Sequence, residues 1–539
     1  MKKIFFRFLT FLFLLILISI TYLSTIGIKT NKFNSRISEQ VKKIDKNLEI
    51  NLNKVKIILN PLKLKISAKT LGTDLIYKDK SIQLENIKSN ISLKSFIKGN
   101  FLLTGLSIST KSLEIKNLVS FIRLIERDPK IYIAEQFIEN GYIIADIEIE
   151  FDELGNIKDN YNIKGLVKDG NINLLKRFDL SGIDFIYYIK KNNFLFTDLK
   201  LSLNKKNISI PKITVEKNKD KFLLTGKVNN KNTILYKKDL SFLIEESKIG
   251  SDIEEINFNS ENNFSFNLDK KFKISDLKIV SKIDLKNLKL KNSLKLEKIF
   301  PKIKNEILLQ NHKIKIDFNN NNLTMTGSGD ALFQGDNDKL KYEIIKKKDE
   351  IVYKTNLTIS KNSFYLDVLD YKKSKNSNLE IAVLAKKKIK NDLLIQDVTL
   401  KENNNIISFR NLSLSNNYKI NNVEKVTLKY FDNENFENKI QINKIDKNYL
   451  IKGNSFNINK IVTNILDSNK KKKLSIFNND FKLNFDIKKI YLDTNHSMDN
   501  LKGYLFLKNN VISELNLESK FSNKKNIKLT IKTNGEEKI

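Results

Sequence analysis

Apolar and polar residues follow three patterns along this chain. The first is an unbroken apolar run from Phe8 to Ile28, 21 residues without a charge. As a helix rising about 1.5 Å per residue it spans roughly 31 Å, close to the hydrocarbon thickness of a bilayer. The pattern predicts one membrane-spanning helix at the start, and no second run of this kind follows. The second pattern is period-two alternation, in which side chains at i, i+2 and i+4 share one face of a strand. It shows at Leu62, Leu64, Ile66 and Ala68, at Ile82/Leu84 and at Ile91/Leu93, and it runs with little relief from Tyr142 onward. The third is a small number of helical stripes.

One stripe is Leu118, Phe121, Ile122 and Ile125, predicting a sheet-packed helix over 117–127 with Asn117 as its cap and Pro129 as its stop. A further helical turn is expected near 131–139. Two later short helices are expected near 296–310, broken at Pro301, and at 457–467, where Ile458, Ile461, Val462, Ile465 and Leu466 line one side. The predicted architecture is mainly β: a transmembrane helix followed by a long, curved antiparallel sheet forming a groove, with a few short helices. The organisation expected is an anchor over 1–28, an N-terminal β-region with a short helix over 29–130, and an elongated β-groove region over 131–539.

Composition sharpens this in three ways. Only 17 Gly and 4 Pro occur in 539 residues, so a continuous repetitive sheet is expected rather than several domains on Pro/Gly linkers. Turns fall to Asn, Lys and Asp in tracts such as KKNN, LNKKN and EKNKDK. The pentapeptides FLLTG (101–105 and 222–226) and LTMTG (323–327) echo one strand-turn device. The formal net charge is +34 with only six Arg. Lysines spread along alternating strands fit a solvated face rather than a concentrated phosphate reader, and nucleic acid is not an expected partner.

Cys is absent and only His312 and His496 occur, which excludes thiol chemistry and His-rich metal sites; each His is expected in a loop or on the surface. Asp146, Glu148, Glu150 and Asp152 alternate in one strand, yet adjacent carboxylates on a surface strand ordinarily stay solvated. No G-x-S-x-G, H-E-x-x-H or G-x-G-x-x-G is present. No enzyme, cofactor or metal is assigned. Lys2, Lys3 and Arg7 precede the apolar run, the run exceeds a usual signal core, and no small-residue cleavage site follows. An uncleaved anchor with its N-terminus in the cytoplasm and its body exported is expected.

A tethered sheet with one apolar face suits a physical task that needs no catalytic residue. Exposing the roughly thirty CH₂ groups of a phospholipid to water costs on the order of 25 kcal/mol, at about 0.8 kcal/mol each. An apolar groove sustained over many strands removes most of that cost, provided the apolar sides align into one uninterrupted strip. Candidate floor residues are Leu199, Leu201 and Leu203, then Ile314, Ile316 and Phe318, then Phe481, Leu483, Phe485 and Ile487. A second sheet or helix laid on the same positions would make them an ordinary core, and the pattern fits both.

Four stretches together resemble the AsmA-like envelope protein family, of TamB/YhdP type. They are the anchor followed by VKIILNPLKLKISAKTLGTDLIYKDKSIQLENI, the unit DELGNIKDNYNIKGLVKDGNI, the block LTMTGSGDALFQGDNDKLKYEIIKKKDEIVYKTNLTIS, and YLIKGNSFNINKIVTNILD. The resemblance implies a single-pass inner-membrane protein with its body in the periplasm, carrying phospholipid along a β-groove towards the outer membrane. The alternative is an assembly or scaffold factor for outer-membrane proteins. Longer members continue with a further β-region; this chain stops at TNGEEKI, which reads as a C-terminal truncation or a short member.

Overall fold

The computed structural model describes residues 2–32, 34–98, 102–126, 128–154, 156–174, 178–240, 252–271, 273–292, 296–388, 393–414, 420–460, 480–508, 511–534 and 537–538. Strands hold 66% of the chain and run as one long antiparallel sheet of about 30 strands, with a few short helices. The chain packs as two units, residues 1–230 with 261–277 and residues 231–260 with 278–539.

The first unit opens on α1 (Lys2–Thr25), long and apolar enough to cross a membrane and with no buried residue. The N–H groups of Ile26 and Gly27 donate back to the Tyr22 carbonyl at 2.9 and 3.0 Å, closing the helix. Gly27 stands at φ +69°, and a Cβ there would strike the Ile57 carbonyl oxygen, so the position needs glycine twice over. The next residue, Ile28, is not in the membrane helix as expected. It begins β1 (Ile28–Thr30), which pairs with β3 (Val55–Asn60).

Helix α2 (Asn34–Ile44) and β2 (Leu48–Asn51) follow β1, and β4 (Lys65–Tyr77) pairs with both β2 and β3. Leu62 and Leu64 do not continue the alternation. Pro61 stops β3, Leu64 takes φ +47°, and both leucines lie exposed in the turn. Ile82 and Leu84 of β5 (Lys80–Ser92) are buried as the alternation predicts; Leu93 instead starts α3 (Leu93–Ile97). After β6 (Leu103–Thr110) and β7 (Leu113–Glu114) come α4 (Ile115–Ile125) and α5 (Pro129–Phe137). Helix α4 starts two residues earlier than its stripe suggests. Glu114 occupies the cap position, and Asn117 Nδ2 donates to its carboxylate at 2.8 Å. Phe121 is buried and Leu118 and Leu124 pack with it against Leu48, Tyr77 and Leu84, while Ile122 and Ile125 face water. Helix α5 has Asp128 accepting from the Lys130 N–H and Pro129 in its first turn.

From here the unit is a meander: β8 (Ile138–Glu150), β9 (Asn162–Leu174), β10 (Phe178–Lys190), β11 (Asn193–Leu203), β12 (Lys206–Asn218) and β13 (Lys221–Tyr236), then β14 (Ile253–Asp269). A line of bulges crosses it. Gly141, Asp169, Gly182 and Asp198 all have positive φ. The registers shift at 140–142 against β9, at 180–185 between β9 and β10, at 181–186 between β10 and β11, and around Pro211 between β12 and β13. Aligned bulges bend each strand at the same place, creasing the sheet along a line across its strands.

The second unit continues through β15 (Ile274–Lys291), β16 (Glu306–Asn319), β17 (Asn322–Leu332), β18 (Asp338–Lys347) and β19 (Glu350–Ile359), with β20 (Tyr365–Leu366) and β21 (Tyr371–Lys372) as a separate two-strand pair. The meander resumes with β22 (Leu379–Lys388), β23 (Leu393–Glu402), β24 (Asn405–Leu414), β25 (Ile420–Asn422), β26 (Lys425–Phe431), β27 (Glu437–Ile445) and β28 (Asn448–Asn457). Here the antiparallel rule has an exception: β28 pairs in parallel with β29 (Phe481–Tyr491), before β30 (Ser497–Lys508), β31 (Val511–Phe521) and β32 (Asn526–Asn534) return to antiparallel. The helix expected at 457–467 begins at Asn459, whose N–H bonds Asn457 Oδ1 at 3.0 Å; 461–467 lie outside the described residues. The helix expected near 296–310 is not one. Residues 297–302 are turns, and Ile307 and Leu309 alternate in β16 because they pair with Leu290 and Leu288 of β15.

Scarce glycine is replaced as the tracts imply, with Lys191, Asn204, Lys219, Asn320, Lys348 and Asn403 among the turn residues at positive φ. Two of the three T-G steps share a cause, while Gly105 lies beside Asn90 instead. Gly226 lies beneath Phe264 and Gly327 beneath Tyr342, as Gly165 lies beneath Tyr187. In each case a strand glycine makes room for a ring from the next strand.

Candidate functional site

Cross-strand register assembles an apolar row in the first unit. Ala145 of β8 pairs with Gly165, Gly165 with Tyr187, Tyr187 with Phe196, Phe196 with Ile213 and Ile213 with Gly226. Two residues along the same strands stand Phe185, Phe194, Val215 and Leu224, and β14 adds Phe264 and Phe266. The rings interlock: Phe185 meets Phe196 edge-on at 5.7 Å, and Phe264 stacks on Phe266 at 5.9 Å. Tyr187 donates to the Ile144 carbonyl at 3.1 Å, and burial, with Asp146 nearby, pushes its hydroxyl up to about 12.

Helices pack mainly on the start of this row. Ile115 of α4 packs with Ala145, Val167 and Tyr187, and the helices of this unit pack on β2 to β5 and β7 to β9. Beyond them Phe194, Phe196, Ile213, Val215, Leu224, Phe264 and Phe266 are only partly buried. None of these was among the candidate floor residues. The signal was present as alternating aromatics in IDFIYYIKKNNFLFTD and NNFSFNL.

Leu199, Leu201 and Leu203 lie past the crease at Asp198. They are half-buried, and Leu199 and Leu201 pair with Ile210 and Ile208 of β12. In the second unit Ile314, Ile316 and Phe318 are also half-buried, opposite Gly327, Met325 and Leu323. Their face continues through Tyr342 and Thr355 to Leu357 and Ile359 of β19.

There the face closes. Phe364, Leu366, Leu369 and Tyr371, from the β19–β22 connection, join Ile299 and Phe300 over Ile359, Leu400, Ile407, Ile440 and Ile490. Ile487 is part of this core and only 2% exposed, with Leu483 and Phe485 packed against it. Phe481 is buried with its ring edge-on to Tyr449 at 5.5 Å. The expectation of one uninterrupted open strip therefore fails in the second unit, because a plug from a distant loop occupies part of it.

Polar groups lock the plug. Tyr371 donates to Glu402 Oε2 at 2.6 Å, the Ser374 N–H donates to Oε1 at 2.7 Å, and Ser377 and Asn405 add further bonds. Burial pushes the Glu402 carboxyl up, but these donors outweigh it and hold it below the usual range. Lys373 donates to the carbonyls of Ser360 and Ser374 at 2.6 and 2.9 Å, and burial lowers its pKa. Tyr430 closes the set by donating to the Leu369 carbonyl at 2.8 Å.

His312 also departs from expectation. It is fully buried in β16, over Gly329 and 5.7 Å from the Tyr342 ring, with Nε2 3.0 Å from the Asp330 carbonyl oxygen. Glycine on the neighbouring strand supplies the space an imidazole needs. His496 is exposed in a turn beside Asp493. Along β8, Asp146 stands between Lys164 and Ser109, Glu148 between Asn162 and Ser107, and Glu150 opposite Gly105, and Asp152 caps the following turn.

No family model, curated protein or solved structure matches this chain.

Proposed function

We propose that the chain is an AsmA-like envelope protein whose open apolar face shelters phospholipid acyl chains in transit. In this reading α1 holds it in the inner membrane, the sheet stands in the periplasm, and lipid moves towards the outer membrane. One observation carries the reading: beyond the buried Tyr187, the row from Phe196 through Ile213 and Val215 to Phe264 and Phe266 is apolar and only partly buried, with β10 to β13 holding their part of it in register. A soluble protein that keeps an aromatic strip open to water needs an apolar occupant for it. Acyl chains fit, because they ask for area and not for directional groups. At about 25 cal/mol per Å² the strip offsets their hydration cost along its length.

The test is photo-crosslinking in cells from Phe196 and Phe266, with Lys164 on the opposite face as control. Lipid adducts from the two aromatic positions and none from Lys164 are expected. Polypeptide adducts from the aromatic positions would favour the assembly-factor alternative, and absence of lipid adducts at both would overturn the lipid reading.

A further inference from the structure

The apolar row of the first unit ends in charge. On β12 the positions Ile213, Val215 and Lys217 share one face, so a lysine stands where the next apolar residue would fall. Lys217 pairs with Phe222 of β13, itself two and four residues from Leu224 and Gly226. Leu268 continues the line of Phe264 and Phe266 on β14. Phe222 and Leu268 line a cleft of about 280 Å³ bounded by the turn after β12, the turn after β14 and Lys130 at the start of α5.

The charges around this cleft do not cancel. Asp220 is taken by Lys270 at 2.7 Å. Asp269 is taken by the backbone N–H groups of Lys271 and Lys273, both at 2.8 Å. Lys130, Lys217 and Lys219 remain, with no carboxylate within ion-pair distance among the described residues. Four lysines against two aspartates leave a net charge of +2 around an apolar-walled cleft at the end of the apolar face. A ligand matching both halves is an anion carried on a hydrocarbon body.

We propose that this cleft binds the phosphate headgroup of an anionic phospholipid whose acyl chains lie along the Phe196–Phe266 face. The proposal rests on the lipid reading above and gives it a polarity: headgroup at the Lys217 end, tails towards the crease. Lysine ammonium groups, as mobile point charges, select net negative charge over headgroup shape.

The experiment uses the full chain in neutral detergent, titrated with dihexanoyl phosphatidylglycerol, dihexanoyl phosphatidylcholine and inorganic phosphate. A Lys130→Gln/Lys217→Gln/Lys219→Gln variant is compared with a Lys164→Gln/Lys190→Gln/Lys212→Gln variant of equal charge, circular dichroism confirming the fold of each. Phosphatidylglycerol affinity is expected to fall about tenfold or more in the cleft variant and to hold in the control. Equal loss in both variants, or equal affinity for phosphatidylcholine, would overturn the site as a specific one. Inorganic phosphate binding as tightly as the lipid would overturn the amphiphile and leave a free-anion site. Unchanged titration with lipid crosslinks at Phe196 retained removes the cleft alone. Loss of those crosslinks with headgroup binding retained removes the conduit instead.

Discussion

Tyr187 lies across Gly165, its hydroxyl bonded to the Ile144 carbonyl on the far side of that glycine's strand. A Cβ at Gly165 would meet this backbone carbonyl as well as the tyrosine ring. At Gly327 the nearest atoms all belong to the outer end of the Tyr342 ring, which can swing aside. Gly165→Ala is therefore expected to cost about 1–3 kcal/mol and Gly327→Ala less than about 1 kcal/mol. Amide exchange read separately on β9 and β17 measures the two. Equal losses would show that the carbonyl does not set the constraint.

Ile487 and Ile316 are isoleucines at inward positions of their strands, yet one is sealed and the other half-open. Ile487→Ala leaves a cavity under the plug and is expected to cost about 2–5 kcal/mol. Ile316→Ala removes a side chain that is only partly buried and should cost less than Ile487→Ala, under about 2 kcal/mol. Local exchange protection in β29 and β16 decides it. A large loss at Ile316 would mean that its face is covered in solution.

Glu402 links stability to pH. Its folded value lies below the ordinary 4.5, so its contribution is fully present above about 4.5 and is lost as pH falls through the folded value. Asp338 acts oppositely. Burial raises it above 3.8, so ionising it penalises the folded state as pH rises through that window. Glu402→Gln should lower the urea midpoint at neutral pH, by about 1–3 kcal/mol of local stability. It should also flatten the fall seen on acidification to about pH 4. Tyrosine near-ultraviolet dichroism follows the plug directly. An unchanged acid slope in the variant would assign the linkage to other carboxylates.

What could be read in advance follows the range of the interactions. Ile82 and Leu84 declare themselves by alternation because strand burial has period two, and the buried side is set locally. The same rule misleads at Leu62 and Leu64, where Pro61 turns the chain. At Leu309 it is the helical expectation that misleads, because strand pairing with Leu288 sets the conformation. The plug is invisible for another reason. Phe364 and Tyr371 seal Ile487 from more than a hundred residues away, and no local pattern marks which stretch of an apolar face receives a lid. His312 needed knowledge of its cross-strand glycine. The aromatic strip was legible in its alternation, whereas the leucine alternation marks the far side of Asp198, which stands at positive φ.

Two residues separate the last turn of α1 from the first paired strand, and one of them is Gly27, pressed against the Ile57 carbonyl. So short a joint cannot act as a leash. In the proposed reading, with α1 in a bilayer, any rocking of the helix passes to β1 and then to β3, because Ile28 and Ile57 are already partners. A thinner bilayer, which makes a long apolar helix lean, would then lean the leading strands as well. Under that proposal the thickness of the lipid would set the angle at which this edge of the sheet meets the headgroups.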